Sequence, residues 1–167
     1  LFSGTNSIIV NRGTVAGFGE GVYASGADHK IVNEGTIVST ALAAVGLNVT
    51  VNGATATLVN RGSIATASSS GVAVQGGSGI DDIDIVRNWG EIAGDVELSN
   101  GDDIYRAFGD GAAGQVRGED GADRLIGARS DDDLDGGADG DTLRGGAGDD
   151  TVAGGDGDDT AWGGSER

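Results

Sequence analysis

Five aspartates stand nine residues apart near the end of the chain: Asp123, Asp132, Asp141, Asp150 and Asp159. Each takes the sixth place of a nine-residue unit. The units run without a break: GEDGADRLI (118–126), GARSDDDLD (127–135), GGADGDTLR (136–144), GGAGDDTVA (145–153) and GGDGDDTAW (154–162). The eighth place is apolar throughout, as Leu125, Leu134, Leu143, Val152 and Ala161. Glycines ahead of each aspartate permit close backbone approach, so that several carbonyl oxygens can converge. The aspartate adds a carboxylate at a fixed offset. Carbonyls and carboxylates together make a hard-oxygen site, which suits Ca²⁺. Mg²⁺ prefers to keep its water shell. Zn²⁺ would want Cys or His, but the chain has no Cys, and its one His, His29, is far from these units.

The same pattern occurs earlier. GGSGIDDID (76–84) fits every constrained place, with Asp81 sixth and Ile83 eighth. LSNGDDIYR (98–106) fits from its fourth place onward and supplies Asp103 and Tyr105. Asp81, Asp103, Asp123, Asp141 and Asp159 then step by 22, 20, 18 and 18 residues. That series predicts one continuous stack whose coils shrink along the chain.

Such a stack needs elements to hold it. The N-terminal half repeats VNRGTVA (10–16), VNEGTIV (32–38), VNRGSIA (59–65) and RNWGEIA (87–93). Short alternating Val, Ile and Ala runs read as strands. Asn-x-Gly reads as a tight turn, because both residues tolerate positive φ. Asn11, Asn33, Asn60 and Asn88 lie 22, 27 and 28 residues apart. A strand-turn unit of that period predicts coils of a β-solenoid, which bury their inner faces only by stacking. Asparagines at equivalent corners would bond one to the next. The expected fold is all-β: solenoid coils over 1–97, continuous with tighter metal-binding coils over 98–167, seven or eight coils in all.

Composition supports thin layers rather than one thick core. There are 34 glycines but only two Trp, two Tyr and three Phe. The formal charge of −17 argues against nucleic acid, which needs a basic footprint. It also disfavours an anionic membrane surface. So acidic a chain is either disordered or neutralised by cations. Recurrent Val and Ile runs speak for the second. No apolar run is long enough to span a membrane.

The five units resemble the calcium-binding nonapeptide of the repeats-in-toxin (RTX, haemolysin-type) family. The resemblance implies a parallel β-roll with two nonapeptides per 18-residue coil and calcium held between turns one coil apart. Carried over, Asp123 shares an ion with Asp141 and Asp141 with Asp159. Asp132 pairs with Asp150 on the opposite side. Backbone carbonyls of Gly136, Gly137, Gly145, Gly146, Gly148, Gly154, Gly155 and Gly157 complete the sites, and Asp81 and Asp103 extend them upstream, for up to about five ions. Four departures stand out. Ala128 and Ser130 replace glycines and weaken their turn, and Asp139 must adopt a glycine-like conformation. Ala161 is a small plug. Gly114 stands where GDGAAGQVR (109–117) should carry its aspartate, so that turn is expected to bind nothing.

The resemblance further implies a bacterial protein exported by a type I system and acting outside the cell or at its surface, as a calcium-binding structural module that folds once outside. The N-terminal coils resemble autotransporter and adhesin solenoids. The alternative is therefore an adhesin or filament segment that self-associates through its solenoid ends. Catalysis would have to draw on Asp28, His29, Lys30 or Glu34. The segment ADHK (27–30) reads as a solvated loop, so no enzyme is expected.

Overall fold

The computed structural model describes residues 2–17, 21–40, 44–49, 53–67 and 71–165. The chain winds as a right-through stack of parallel strands, with no helix among the described residues. Three sheets run along the stack. The first joins Phe2–Thr5, Val22–Ala27, Val45–Val49, Val72–Gln75, Asp95–Asn100, Gln115–Asp120, Asp133–Ala138 and Thr151–Asp156. The second joins Ile8–Asn11, His29–Asn33, Thr55–Asn60, Ile83–Asn88, Ile104–Ala107, Arg124–Ile126, Thr142–Ala147 and Thr160–Ser165. The third is shorter: Thr14–Gly17, Thr36–Ser39, Ser63–Thr66 and Glu91–Ala93.

The two repeat patterns of the sequence are therefore two coil shapes. The first four coils are three-sided; from Gly94 onward each coil has only two sides. The expected parallel solenoid tapering into a β-roll is what the chain forms. What removes the third side is the spacing between strands, since an 18-residue coil has room for two strands and two turns. Residues 108–113 close the end of the third sheet. Ala112 bridges to Glu91 and accepts both the Ile92 N–H, at 2.9 Å, and the Asn88 side-chain amide, at 2.9 Å.

Each sheet contributes a main inward column, with Ala24, Ala56 and Leu98 buried two residues from it, because strand side chains alternate between faces. Val22, Val45, Val74, Val96, Val116 and Leu134 line the first. Ile31, Leu58, Val86, Tyr105, Leu125 and Leu143 line the second. Ile37, Ile64 and Ile92 line the third. All are buried. A core one residue thick per layer explains how so few large side chains suffice. Tyr105, the largest fully buried side chain, lies in the first two-sided coil, just past the end of the Ile92 column.

The predicted asparagine ladder is present. The Asn11 amide donates to Asn33 Oδ1 at 2.8 Å, Asn33 to Asn60 at 2.9 Å, and Asn60 to Asn88 at 2.9 Å. Each Oδ1 also caps the N–H of the glycine two residues on. One local expectation fails. The segment 27–30 is not a solvated loop: Asp28 turns the chain with φ 55°, and His29 opens a strand and is buried. The strand register forces this, since His29 lies four residues before the ladder position Asn33, as Ala56 does before Asn60.

Candidate calcium site

The aspartates sit where each strand of the two-sided coils begins. Register along the second sheet sets Asp84, Asp103, Asp123, Asp141 and Asp159 in one column, one residue ahead of the strand positions Ile85, Ile104, Arg124, Thr142 and Thr160. Each backbone N–H donates to Oδ1 of the aspartate one coil on. The distances are 2.7 Å from Asp84 to Asp103, 2.8 Å from Asp103 to Asp123, 2.8 Å from Asp123 to Asp141 and 2.9 Å from Asp141 to Asp159. On the first sheet Asp132 donates likewise to Asp150, at 3.0 Å.

The ladder uses only one oxygen of each carboxylate. The other oxygen, Oδ2, is buried without a hydrogen-bond partner in Asp103, Asp123, Asp141 and Asp150. In Asp123, Asp141 and Asp150 it occupies the place that a side chain on a glycine of its own turn would take, beside a glycine carbonyl from the next coil. A side chain added at Gly136 would run into Asp141 Oδ2 and the Gly154 carbonyl. At Gly145 it would meet Asp150 Oδ2 and the Gly163 carbonyl, and at Gly118 Asp123 Oδ2 and the Gly136 carbonyl. Orphaned carboxylate oxygens and carbonyls from adjacent coils thus converge on the same space, and only glycine leaves it open. A hard divalent cation fits that donor set.

Electrostatics point the same way. Burial pushes Asp103 up to about 9, opposed by the Asp84 N–H and reinforced by the neighbouring carboxylates Asp84, Asp123 and Asp82. Burial raises Asp84 to about 8, Asp123 to about 7 and Asp132 to about 6, again against a backbone N–H and with help from neighbouring acids. Asp82 and Asp141 are raised for the same first cause. Negative charge in this column is costly unless a cation accompanies it.

The predicted residues divide as follows. Asp103, Asp123, Asp141 and Asp159 share one column, and Asp132 and Asp150 the opposite one. Asp81 does not head the column; Asp84 does. Asp81 is exposed and lines an open acidic depression of about 440 Å³ with Asp102, Asp120 and Asp139. The reason is register. Asp84 stands four residues before Asn88, and Asp103 four before Ala107, with Asn88 opposite Ala107. Counting back from the asparagine ladder would have found it. The nonapeptide fit misleads because Asp81 and Asp84 each precede an apolar residue by two places.

Among the glycines, Gly136 and Gly145 cradle the orphaned oxygens of Asp141 and Asp150, and Gly154 faces Asp159 Oδ2. Gly137, Gly146 and Gly155 instead take left-handed conformations, with φ 113°, 124° and 101°, and pack on carbonyls of the preceding coil. Gly148 and Gly157 turn the chain with φ 137° and 148°. The sequence reading omitted Gly118 and Gly127, which cradle Asp123 and Asp132 in the same way. Asp139 adopts the glycine-like conformation expected of it, with φ 74°. Asp132 Oδ2 accepts the Ala128 N–H at 2.9 Å and Asp84 Oδ2 the Gly77 N–H at 2.6 Å, so in Asp84 it is Oδ1 that is buried without a partner.

A family model described as the RTX calcium-binding nonapeptide repeat (4 copies) matches residues 108–143 and 135–166. No curated protein and no solved structure matches the chain.

Proposed function

With residues 108–166 carrying RTX calcium-binding nonapeptide repeats, we propose that the chain is a calcium-binding structural module of a secreted protein, and that its two-sided coils fold as calcium binds after type I export. The observation that carries this reading is the column of buried, unpartnered Oδ2 atoms on Asp103, Asp123 and Asp141. Asp123 and Asp141, Asp141 and Asp159, and Asp132 and Asp150 are the pairs assigned to shared ions. Asp84 with Asp103, and Asp103 with Asp123, extend the first column, for about five ions in total.

The thermodynamics favour coupling of folding to metal. The glycine-rich coils lose much backbone entropy on folding, and their buried carboxylates repel one another. Metal binding offsets both terms. Calcium modules of the extracellular medium bind with Kd on the order of 10⁻⁴–10⁻³ M, so the coils would stay unfolded in the cytosol and close outside. The asparagine ladder and three inward columns of the first four coils need no ion. The role is structural, and no residue is assigned to catalysis.

The test is circular dichroism of the whole chain with and without chelator, together with calorimetric calcium titration. The expected result is calcium uptake with a gain of β signal. A β signal unchanged by excess chelator, or no heat on calcium addition, would reject the reading.

A further inference from the structure

The outer face of the second sheet carries a row of arginines that calcium binding does not use. Residues flanking the buried Val86, Tyr105, Leu125 and Leu143 point outward. On successive coils they are Ile85 and Arg87, Ile104 and Arg106, Arg124 and Ile126, Thr142 and Arg144; Trp162 follows on the next coil, in register with Arg144. All four arginines are exposed. Among the described residues none of them has a carboxylate within ion-pair distance; the ion pairs involve Arg12, Arg117 and Arg129. The Arg106 guanidinium lies over the Phe108 ring, 4.7 Å from its centroid. An open groove of about 830 Å³ runs between Arg106, Arg124, Arg144 and Trp162. These outward columns hold no acid at all, on a chain of formal charge −17. The first sheet differs: Asp95, Glu97, Asp133 and Asp135 point outward there, and Arg117 is already paired with Asp95 and Glu97.

We propose that this face binds a linear, carboxylate-bearing polysaccharide. It offers one arginine per coil over four coils, a step of ~4.8 Å along the stack, with Arg87, Arg106 and Arg144 in one outward column and Arg124 in the other. A chain with one carboxylate per sugar ring repeats its negative charge at a similar pitch, and each guanidinium fork suits one carboxylate. The half-buried Ile104 and Ile126 and the half-exposed Trp162 supply apolar surface for ring faces. The strip is only a few residues wide, whereas a stable globular partner needs about 800 Å² on its side. Acidic turns border the strip, with Asp102, Asp120 and Asp139 on one side and Asp110, Asp131 and Asp149 on the other. They repel a broad anionic bilayer and admit a single chain between them.

The experiment titrates the whole chain, at fixed saturating calcium, with short oligogalacturonides. Neutral maltooligosaccharide, oligothymidylate and phosphatidylserine vesicles serve as comparisons. Oligogalacturonide is expected to bind, more weakly as salt rises. The Arg106→Gln/Arg144→Gln double variant should bind roughly tenfold or more weakly, with calcium uptake and β signal unchanged. Arg117→Gln, on the opposite sheet, should bind as the parent does. Absence of oligogalacturonide binding, undiminished binding by the double variant, or tighter binding to oligothymidylate or vesicles each overturns the proposal. Calcium uptake, measured without polymer, reports separately on the calcium reading.

Discussion

The backbone N–H of Asp123 donates to Oδ1 of Asp141, eighteen residues on, at 2.8 Å. That bond ties each coil to the next and leaves Asp141 Oδ2 buried beside Gly136 and the Gly154 carbonyl. One carboxylate thus does two jobs, and the two are separable by substitution.

Asp141→Asn keeps an oxygen to accept the Asp123 N–H but removes the charge. Calcium uptake is expected to fall by about two ions, those assigned to Asp141 with Asp123 and with Asp159, with the coils still forming at high calcium. Asp141→Ala loses the acceptor as well and is expected to cost a further ~1–3 kcal/mol of stability. Calorimetric titration and urea unfolding of the two variants check this; equal behaviour would refute the division of roles.

Gly136→Ala places a methyl group against Asp141 Oδ2 and the Gly154 carbonyl. Overpacking of this kind typically costs ~1–3 kcal/mol, and here it also closes the cation cradle. Calcium affinity is expected to drop at least as much as in Asp141→Asn. Gly140→Ala is the control: its nearest contact is the Asp158 carbonyl at 3.4 Å, so it should titrate like the parent.

Protons should substitute in part for calcium. Asp103, Asp84, Asp123 and Asp132 are raised to about 9, 8, 7 and 6 in the folded chain, from an ordinary value of 3.8. The folded, calcium-free chain therefore keeps protons that the unfolded chain has released. Their stabilising contribution is complete below about pH 4 and is lost as pH rises through about 6 to 9. Calcium-free protein should melt at a higher temperature near pH 5 than near pH 8, and calcium should restore the loss at the higher pH. A calcium-free melting temperature that climbs from pH 5 to pH 8 would contradict this.

Asn60→Ala should act on the other half of the molecule. Asn60 accepts the Asn33 amide and the Gly62 N–H and donates to Asn88 Oδ1 and the Glu91 carbonyl. Its removal leaves buried partners unpaired, for a loss of ~3 kcal/mol. Urea unfolding in excess chelator should register the loss, while the number of calcium ions bound stays that of the parent.

Periodicity made most of the fold legible. Asn11, Asn33, Asn60 and Asn88 recur in one context, which favoured stacked coils over separate hairpins because equivalent corner amides can then bond one to the next. Which of Asp123 to Asp159 share a column came from the resemblance, which implied two nonapeptides per 18-residue coil, and the coil-to-coil bonds of Asp123, Asp141 and Asp159, and of Asp132 and Asp150, follow that pairing. Where spacing was irregular, sequence alone was ambiguous. Asp81 and Asp84 both fit the local pattern, and only the pairing of Asn88 with Ala107 selects Asp84. His29 looked solvated beside Asp28 and Lys30, yet register buries it.

The chain's own letters therefore determined the parallel coils, the glycine turns and the hard-oxygen chemistry, since each rests on local conformational preference repeated at a fixed period. Three things were decided only by packing in three dimensions. One is the closing of the third sheet's end by Ala112, which bridges to Glu91, and another is the orphaning of one oxygen on Asp103, Asp123, Asp141 and Asp150. The third is the gathering of Arg87, Arg106, Arg124 and Arg144 on one face. Each depends on which residues of different coils lie side by side, and that is settled by strand register, which no single repeat contains.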